Sequence, residues 1–389
     1  GARDLLANAE FDRGLTTTMA EMRRLLGGNL LNLPHRQWLP RRHALQPIFT
    51  KQCAHRYAGH MADAAQSVVD GWAGRDPADA VDLDAECRTL TLQALGHSVF
   101  GVDLSYDAAS VGAAMRTALS WTIDRSIQPV KAPHWLPTPK QRRVRRATIR
   151  LNELADGILA GVRADPDRDA PLVRALLEAT DPHTGQPLRD DEIRSELVLF
   201  LLAGHDTTST TLTYALWALG RHPELQQQVH EEAAALGDRR LTPQDVPALP
   251  RTVEVLHEAL RLCPPAATIA RTPGCDVEVD GYRIEAGTTA ILSVPALHRD
   301  PTLWEDPQRF DPDRFLPGRS AVRDRWQYLP FGGGPRTCIG DHFAMLEATL
   351  ALATVLRAVS VEPLTDTFPL ATPFTVVPAG AVPARVRRR

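Results

Sequence analysis

Apolar residues recur three and four apart along most of the chain, so helix is the predicted state for most of it. The longest such segment runs from about Asp190 to Arg221. Asp190 or Asp191 is placed to cap it, and Gly220 with Pro223 to end it. The stretch LVLFLLAG within it is apolar on every face, which predicts a central, buried helix. Further helices are predicted over 3–9, 15–26, 50–74, 82–99, 106–127, 141–164, 172–180, 223–236, 250–262 and 339–357, with a capped one after Thr242. In HRQWLPRRHALQPIF, Trp38 and Arg42 stand four apart, and Pro40 between them fits only the first turn of a helix. Alternating patterns predict short strands at ATIAR, at DVEVDGYRI with a turn near Asp280-Gly281, at TTAILSV and near 374–387. Four prolines make 128–140 a loop, and residues 299–337, rich in Pro, Asp and Arg, read as an ordered meander. The expected fold class is mainly α with small antiparallel sheets.

Composition narrows the function. The formal net charge is −3, which argues against a nucleic-acid binder. Five cysteines are scattered without a CxxC pair, against a zinc site or disulfide framework and in favour of a reducing cytoplasm. No apolar run approaches the length of a membrane span. There is no internal repeat or linker, so residues 1–389 are expected to form one domain. The sequence starts at Gly1, without an initiator Met, directly in a helical pattern.

The candidate chemistry lies in FGGGPRTCIG, Phe331 to Gly340. Cys338 is placed where a helix begins, where the macrodipole favours a thiolate. Three glycines leave room for a large flat group, and Arg336 offers a fork suited to a carboxylate. A glycine turn before a structural cysteine is the plainer reading of those features taken singly. Together they suit an iron porphyrin, which needs an axial ligand and counter-charges for its propionates. In AGHDTTST, Asp206 and Thr207 put an acid and an alcohol midway along the central helix, and Thr207 can bond back to the Ala203 carbonyl and bend it. Glu258 and Arg261 share a helix face at i and i+3.

The spacing Phe-x-x-Gly-x-Arg-x-Cys-x-Gly resembles the haem-thiolate signature of the cytochrome P-450 family. AGHDT resembles its oxygen-activation motif, and Glu258-x-x-Arg261 resembles its ExxR motif. The resemblance implies that fold, with one long helix over the haem and a helix and two strands before the segment that opens here. It implies haem b with Cys338 as axial thiolate, Asp206 and Thr207 serving dioxygen and its protons, and Ala203, Gly204, Phe331 and Gly340 bordering the cofactor. Arg336, Arg42, Arg271 and Trp38 are the implied propionate partners. Glu258, Arg261 and Arg314 form the implied structural cluster, with His298 in the scaffold. Phe343 reads as core, and His205 as a structural or channel-facing residue. Leu199, Phe200, Ala203, Ala266, Ala267 and Thr268 are expected to wall a pocket for a lipophilic molecule. The implied activity is monooxygenation by a monomeric enzyme. Electrons would come from NAD(P)H through a ferredoxin or flavodoxin-type partner docking near Arg319, Arg323 and Arg325. A peroxide-driven peroxygenase and a haem sensor or carrier without turnover are the alternatives. Both fit less well with an intact acid–alcohol pair.

Overall fold

The computed structural model describes residues 1–389 apart from 77, 134 and 181–184. Its helices are α1 (Ala2–Ala7), α2 (Thr17–Leu26), α3 (His35–Leu45), α4 (Lys51–Ala73), α5 (Leu83–Leu95), α6 (Ala108–Ile127), α7 (Pro139–Ala164), α8 (Pro171–Glu178), α9 (Asp190–Gly220), α10 (Pro223–Ala234), α11 (Pro250–Leu262), α12 (Val294–Leu297), α13 (Pro317–Ser320) and α14 (Asp341–Ala358). The central position of α9 follows from its sequence. Nearly every residue from Ile193 to Leu219 is buried, and the helix packs against α5, α7, α11 and α14. Its own serines and threonines are reconciled with the core by bonding back to carbonyls of the preceding turn, as Thr210 does to Asp206 O at 2.9 Å.

The strands are β1 (Phe11–Asp12), β2 (Ala80–Asp82), β3 (Thr268–Pro273), β4 (Val277–Val279), β5 (Tyr282–Ile284), β6 (Ala290–Ser293), β7 (Val359–Pro363), β8 (Leu370–Ala371), β9 (Val377–Pro378) and β10 (Pro383–Arg388). They form antiparallel sheets in the orders β1-β3-β6 and β2-β10-β7, and two hairpins, β4-β5 and β8-β9. The first sheet matters for the site, because its register sets Asp12 opposite Thr272, next to Arg271.

Several local expectations are corrected. The cap of α9 is Arg189, whose amide donates to Glu192 at 3.1 Å, and the three acids Asp190, Asp191 and Glu192 occupy the first turn, where they complement the dipole. Pro40 lies inside α3, beyond its first turn. The ring forfeits one backbone bond to the Arg36 carbonyl, and Arg36 sits at the solvent surface, where water can replace it. The helix predicted over 82–99 stays regular only to Leu95 and then widens into a π turn, Gly96–Phe100. α9 remains α-helical through Thr207. Gln128 to Thr138 is irregular, as the prolines predict, with residue 134 outside the described residues. No helix among the described residues is long and apolar enough to cross a membrane.

Candidate active site

The cysteine loop is built by glycine. Gly332 and Gly334 have φ of +74° and +71°, and a Cβ on Gly334 would lie 2.1 Å from the Leu6 carbonyl oxygen. The turn closes when the Cys338 amide donates to Phe331 O at 2.9 Å, so Phe331 holds the loop through its backbone. The helix that follows is capped by Gly340, so Cys338 precedes the cap by two residues and lies outside the first turn. Burial therefore dominates and pushes the Cys338 thiol up. The Gly340 amide, Arg42 and Arg13 pull it down, and Asp341 adds to the rise. The helix terminus alone does not make this sulfur a thiolate. A bound cation would. Gly340 itself has an ordinary φ of −102°, and a Cβ there would meet only Phe49, at 3.9 Å. Neither backbone nor protein neighbours demand glycine here, which fits close approach of another group.

Beside the cysteine loop Arg13, Arg271 and Arg336 gather around Asp12, while Arg42 faces Cys338 and Asp341. Arg336 Nη2 donates to Asp12 at 2.7 Å and to Leu33 O at 2.9 Å, and its plane lies 4.2 Å from the centroid of the buried Trp38 ring. Its buried Nη1 has no hydrogen-bond partner among the described residues. Arg42 donates to Thr337 O at 2.9 Å. Arg271 is buried and pushed down to about 9, first by burial and then by Arg13 and Arg336, with Asp12 opposing. Arg336 is pushed down to about 10, chiefly by burial. The charged ends of Arg13 and Arg42 are likewise lowered by burial. So much enclosed positive charge is stable only with an anion present. Two carboxylates on one flat ligand, as on protoporphyrin, match that deficit. Arg13 escapes a reading of the sequence because FDRGL carries no motif. It enters the site through β1 pairing with β3, and two-residue strands leave no periodic trace.

On α9, Ala203 is solvent-accessible and Gly204 and Thr207 partly so, within the largely buried middle of the helix. Ala266, Thr268 and Cys338 are also accessible. Ala267 is half-buried beside them. Thr207 Oγ1 donates to Ala203 O at 2.8 Å, as its spacing predicts. Asp206 turns into the core instead, where it accepts from Arg88 Nη1 at 2.5 Å and from Thr375 Oγ1 at 2.7 Å. Arg88 also bonds Asp84 at 2.8 Å. Burial pulls this guanidinium down, but Asp206 and Asp84 outweigh it and leave it raised. Sequence reasoning missed Arg88 and Thr375, which come from α5 and the segment before β9. Three of the expected positions also have packing roles. Gly204 is a packing residue, since a Cβ there would meet Leu95 Cδ1 at 2.7 Å. Leu199 and Phe200 are buried in the core, Phe200 stacked on Phe49 with centroids 5.2 Å apart. His205 is fully buried and its ring nitrogens lack partners among the described residues. Burial pushes it down to about 4.

The loop is held from below by the cluster on α11. Arg261 bonds Glu258 twice at 2.7 Å and reaches the carbonyls of His298, Pro307 and Arg309. Arg314 lies 3.5 Å from Glu258 and donates to Asp306 O. His298 Nε2 accepts the Leu329 amide at 2.9 Å, so the proton is on Nδ1, facing Arg261 O. Phe343 packs in the core near Tyr57. Arg323 is taken up by this scaffold, lying over Trp304 and Phe315 and donating to Arg314 O, whereas Arg319 and Arg325 remain exposed.

A family model described as Cytochrome P450 matches residues 5–381. Cyclooctatin synthase of Streptomyces melanosporofaciens is 35% identical over 88% of this chain and 75% of its own length. Cyclooctat-9-en-7-ol 5-monooxygenase of the same organism is 33% identical over 94% and 79%. Pentalenene oxygenase of Streptomyces avermitilis is 32% identical over 95% and 82%. The crystal structure of the cytochrome P450DA heme domain superposes with a TM-score of 0.86 at 30% identity, covering 97% of this chain and 84% of that one.

Proposed function

Because the chain belongs to the cytochrome P450 family and is a haem-dependent monooxygenase, we propose that its single catalytic domain oxidises C–H or C=C bonds of a cyclic, mainly hydrocarbon substrate of the terpenoid class. The observation that carries the site assignment is the cluster of four arginines beside an accessible Cys338. In this reading Cys338 is the axial ligand, and Arg13, Arg42, Arg271 and Arg336 with Trp38 hold the propionates. A haem bound there supplies the redox chemistry that dioxygen and an unactivated C–H bond require. The chain supplies the rest. The cysteine loop fixes the sulfur, Thr207 offers a partly accessible hydroxyl, and small residues at Ala203, Ala266 and Ala267 leave space for a bulky ligand. Asp206 is the acid nearest Thr207 in sequence and is proposed to pass protons when it leaves Arg88.

The substrate class rests on the printed names of the relatives, two of which are an oxygenase of pentalenene and a monooxygenase of cyclooctat-9-en-7-ol. Electrons are proposed to come from NAD(P)H through a separate ferredoxin or flavodoxin-type protein, with the exposed Arg319 and Arg325 offering charge to an acidic partner. The test is spectroscopic. The reduced carbon monoxide complex should show the red-shifted thiolate Soret band. Cys338→Ala should abolish that band, and Arg271→Gln should weaken haem retention without moving it. A band retained in Cys338→Ala would refute the ligand assignment.

A further inference from the structure

His60 and His97 belong to none of the groups assigned above. His60 is an exposed residue of α4, and His97 is a half-buried residue of the π turn Gly96–Phe100 that ends α5. Their rings face each other with centroids 5.7 Å apart and planes 22° from parallel. Neither ring has a hydrogen bond among the described residues.

The backbone around the pair is specialised. Single π turns in α-helices are rare and recur at functional sites. This one closes when the Gly101 amide donates to Gly96 O, and it packs against α4 and α8. Gly101 has φ +68°, and a Cβ on it would lie 2.6 Å from Asp169 O. The glycine therefore lets the segment between α7 and α8 lie against the turn, which brings the Asp169 charge to bear on His60. Asp169 is exposed, and its carboxylate has no hydrogen bond or ion pair among the described residues. The other charges nearby are committed. Asp63, one turn after His60, pairs with Arg240, which also donates to Gly59 O. Asp103 accepts the Ser105 amide at 2.9 Å. Burial and then His97, with Arg240, hold His60 below its ordinary value against Asp63 and Asp169. A neutral imidazole keeps one nitrogen lone pair free.

Two imidazoles on one zinc ion have ring centres about 5 Å apart, since the zinc–nitrogen bond is about 2.1 Å and the centre lies about 1.1 Å beyond the nitrogen. The observed 5.7 Å is a small rotation of the exposed His60 ring away from that separation.

We propose that His60 and His97 bind one divalent transition cation, zinc or nickel by type, and that the ion clips the π turn to α4. No three such side chains among the described residues are set to hold a metal together, so the two imidazoles are the protein ligands. Water fills the other positions, with Asp169 accepting from it. Nitrogen ligands select zinc, nickel or copper over magnesium and calcium, which take oxygen. The ion requires both rings deprotonated, so binding weakens as pH falls.

The test is calorimetric titration of the untagged holoprotein with zinc chloride at pH 7.5, beside His60→Ala and His97→Gln. One site is expected in the wild type, with its Kd raised about tenfold or more in each variant and no binding of magnesium. Hydrogen–deuterium exchange of residues 96–101 should slow about fivefold when zinc is added to the wild type and stay unchanged in both variants. Zinc binding weaker than about 1 mM in the wild type would overturn the proposal. So would equal affinity in all three proteins, which would put the ion elsewhere. A loss in only one variant, or unaltered exchange at 96–101, would mean a single imidazole and no clip. His60 is exposed, so its removal leaves the fold intact, and the comparison stands on that variant even if His97→Gln does not fold.

Discussion

Asp206 is tolerated in the core because each of its oxygens has a donor. Removing one donor should therefore cost more than the pair contributes. Arg88→Met leaves Asp206 and Asp84 without their shared cation, and the expected loss is about 3–5 kcal/mol in urea unfolding. Thr207 is a different case. Its hydroxyl donates only within α9 and its surroundings are partly open, so Thr207→Ala should change stability by less than about 1 kcal/mol. Its expected effect lies in coupling, with less product per reduced nicotinamide and more hydrogen peroxide at unchanged haem content. Product yield equal to wild type would remove Thr207 from the proposed role. The two neighbours thus separate a residue that supports the fold from one the fold can spare.

At the scale of elements, the crossing of α5 and α9 depends on Gly204. Gly204→Val should overpack against Leu95 and cost about 1–3 kcal/mol, and Leu95→Ala in the same chain should return part of it, as a double-mutant cycle in urea would show. This glycine illustrates what was legible. The motif around Cys338, the acid–alcohol pair and the Glu258–Arg261 pair could be read because each is a fixed spacing within a single segment. Gly204 belongs to such a motif, yet its reason lies on α5, more than a hundred residues earlier. Arg13, Arg88 and Thr375 were illegible for the same reason, since long-range packing and short strands bring them in. Pro40 is tolerated beyond the first turn because Arg36, four residues earlier, lies at the solvent surface. The long helices were legible from periodicity, whereas β1 and β2 were too short to leave an alternation.

Over the whole molecule, the buried titratable groups fall into two sets whose pH dependences oppose each other. His205 and His257 are pushed down to about 4 and His298 to about 3, chiefly by burial. Each is neutral when folded and charges more readily when unfolded, so its stabilisation is complete above about pH 6.5 and is lost as pH falls towards the folded value. Glu196 at about 7 and Glu347, raised well above the usual range by burial, act in the other direction. Their contribution is complete below the unfolded value of about 4.5 and is lost as pH rises. Glu196 therefore offsets part of the histidine limb between about pH 4.5 and 7, and the loss of stability at higher pH falls to Glu347. Glu347 gives the sharper test, because its oxygens have no hydrogen-bond partners among the described residues and it is fully buried. Glu347→Gln removes the ionisation and keeps the shape. It should match wild type in urea unfolding at pH 4.5 and exceed it at pH 8, by about 1.4 kcal/mol for each pH unit over which the wild-type carboxyl must hold its proton. His205→Phe should change only the other limb, flattening the loss between about pH 6.5 and 4 by up to one proton. Equal stability of Glu347→Gln and wild type at pH 8 would mean that an unseen partner holds the charge of Glu347, and the alkaline limb would then need another source.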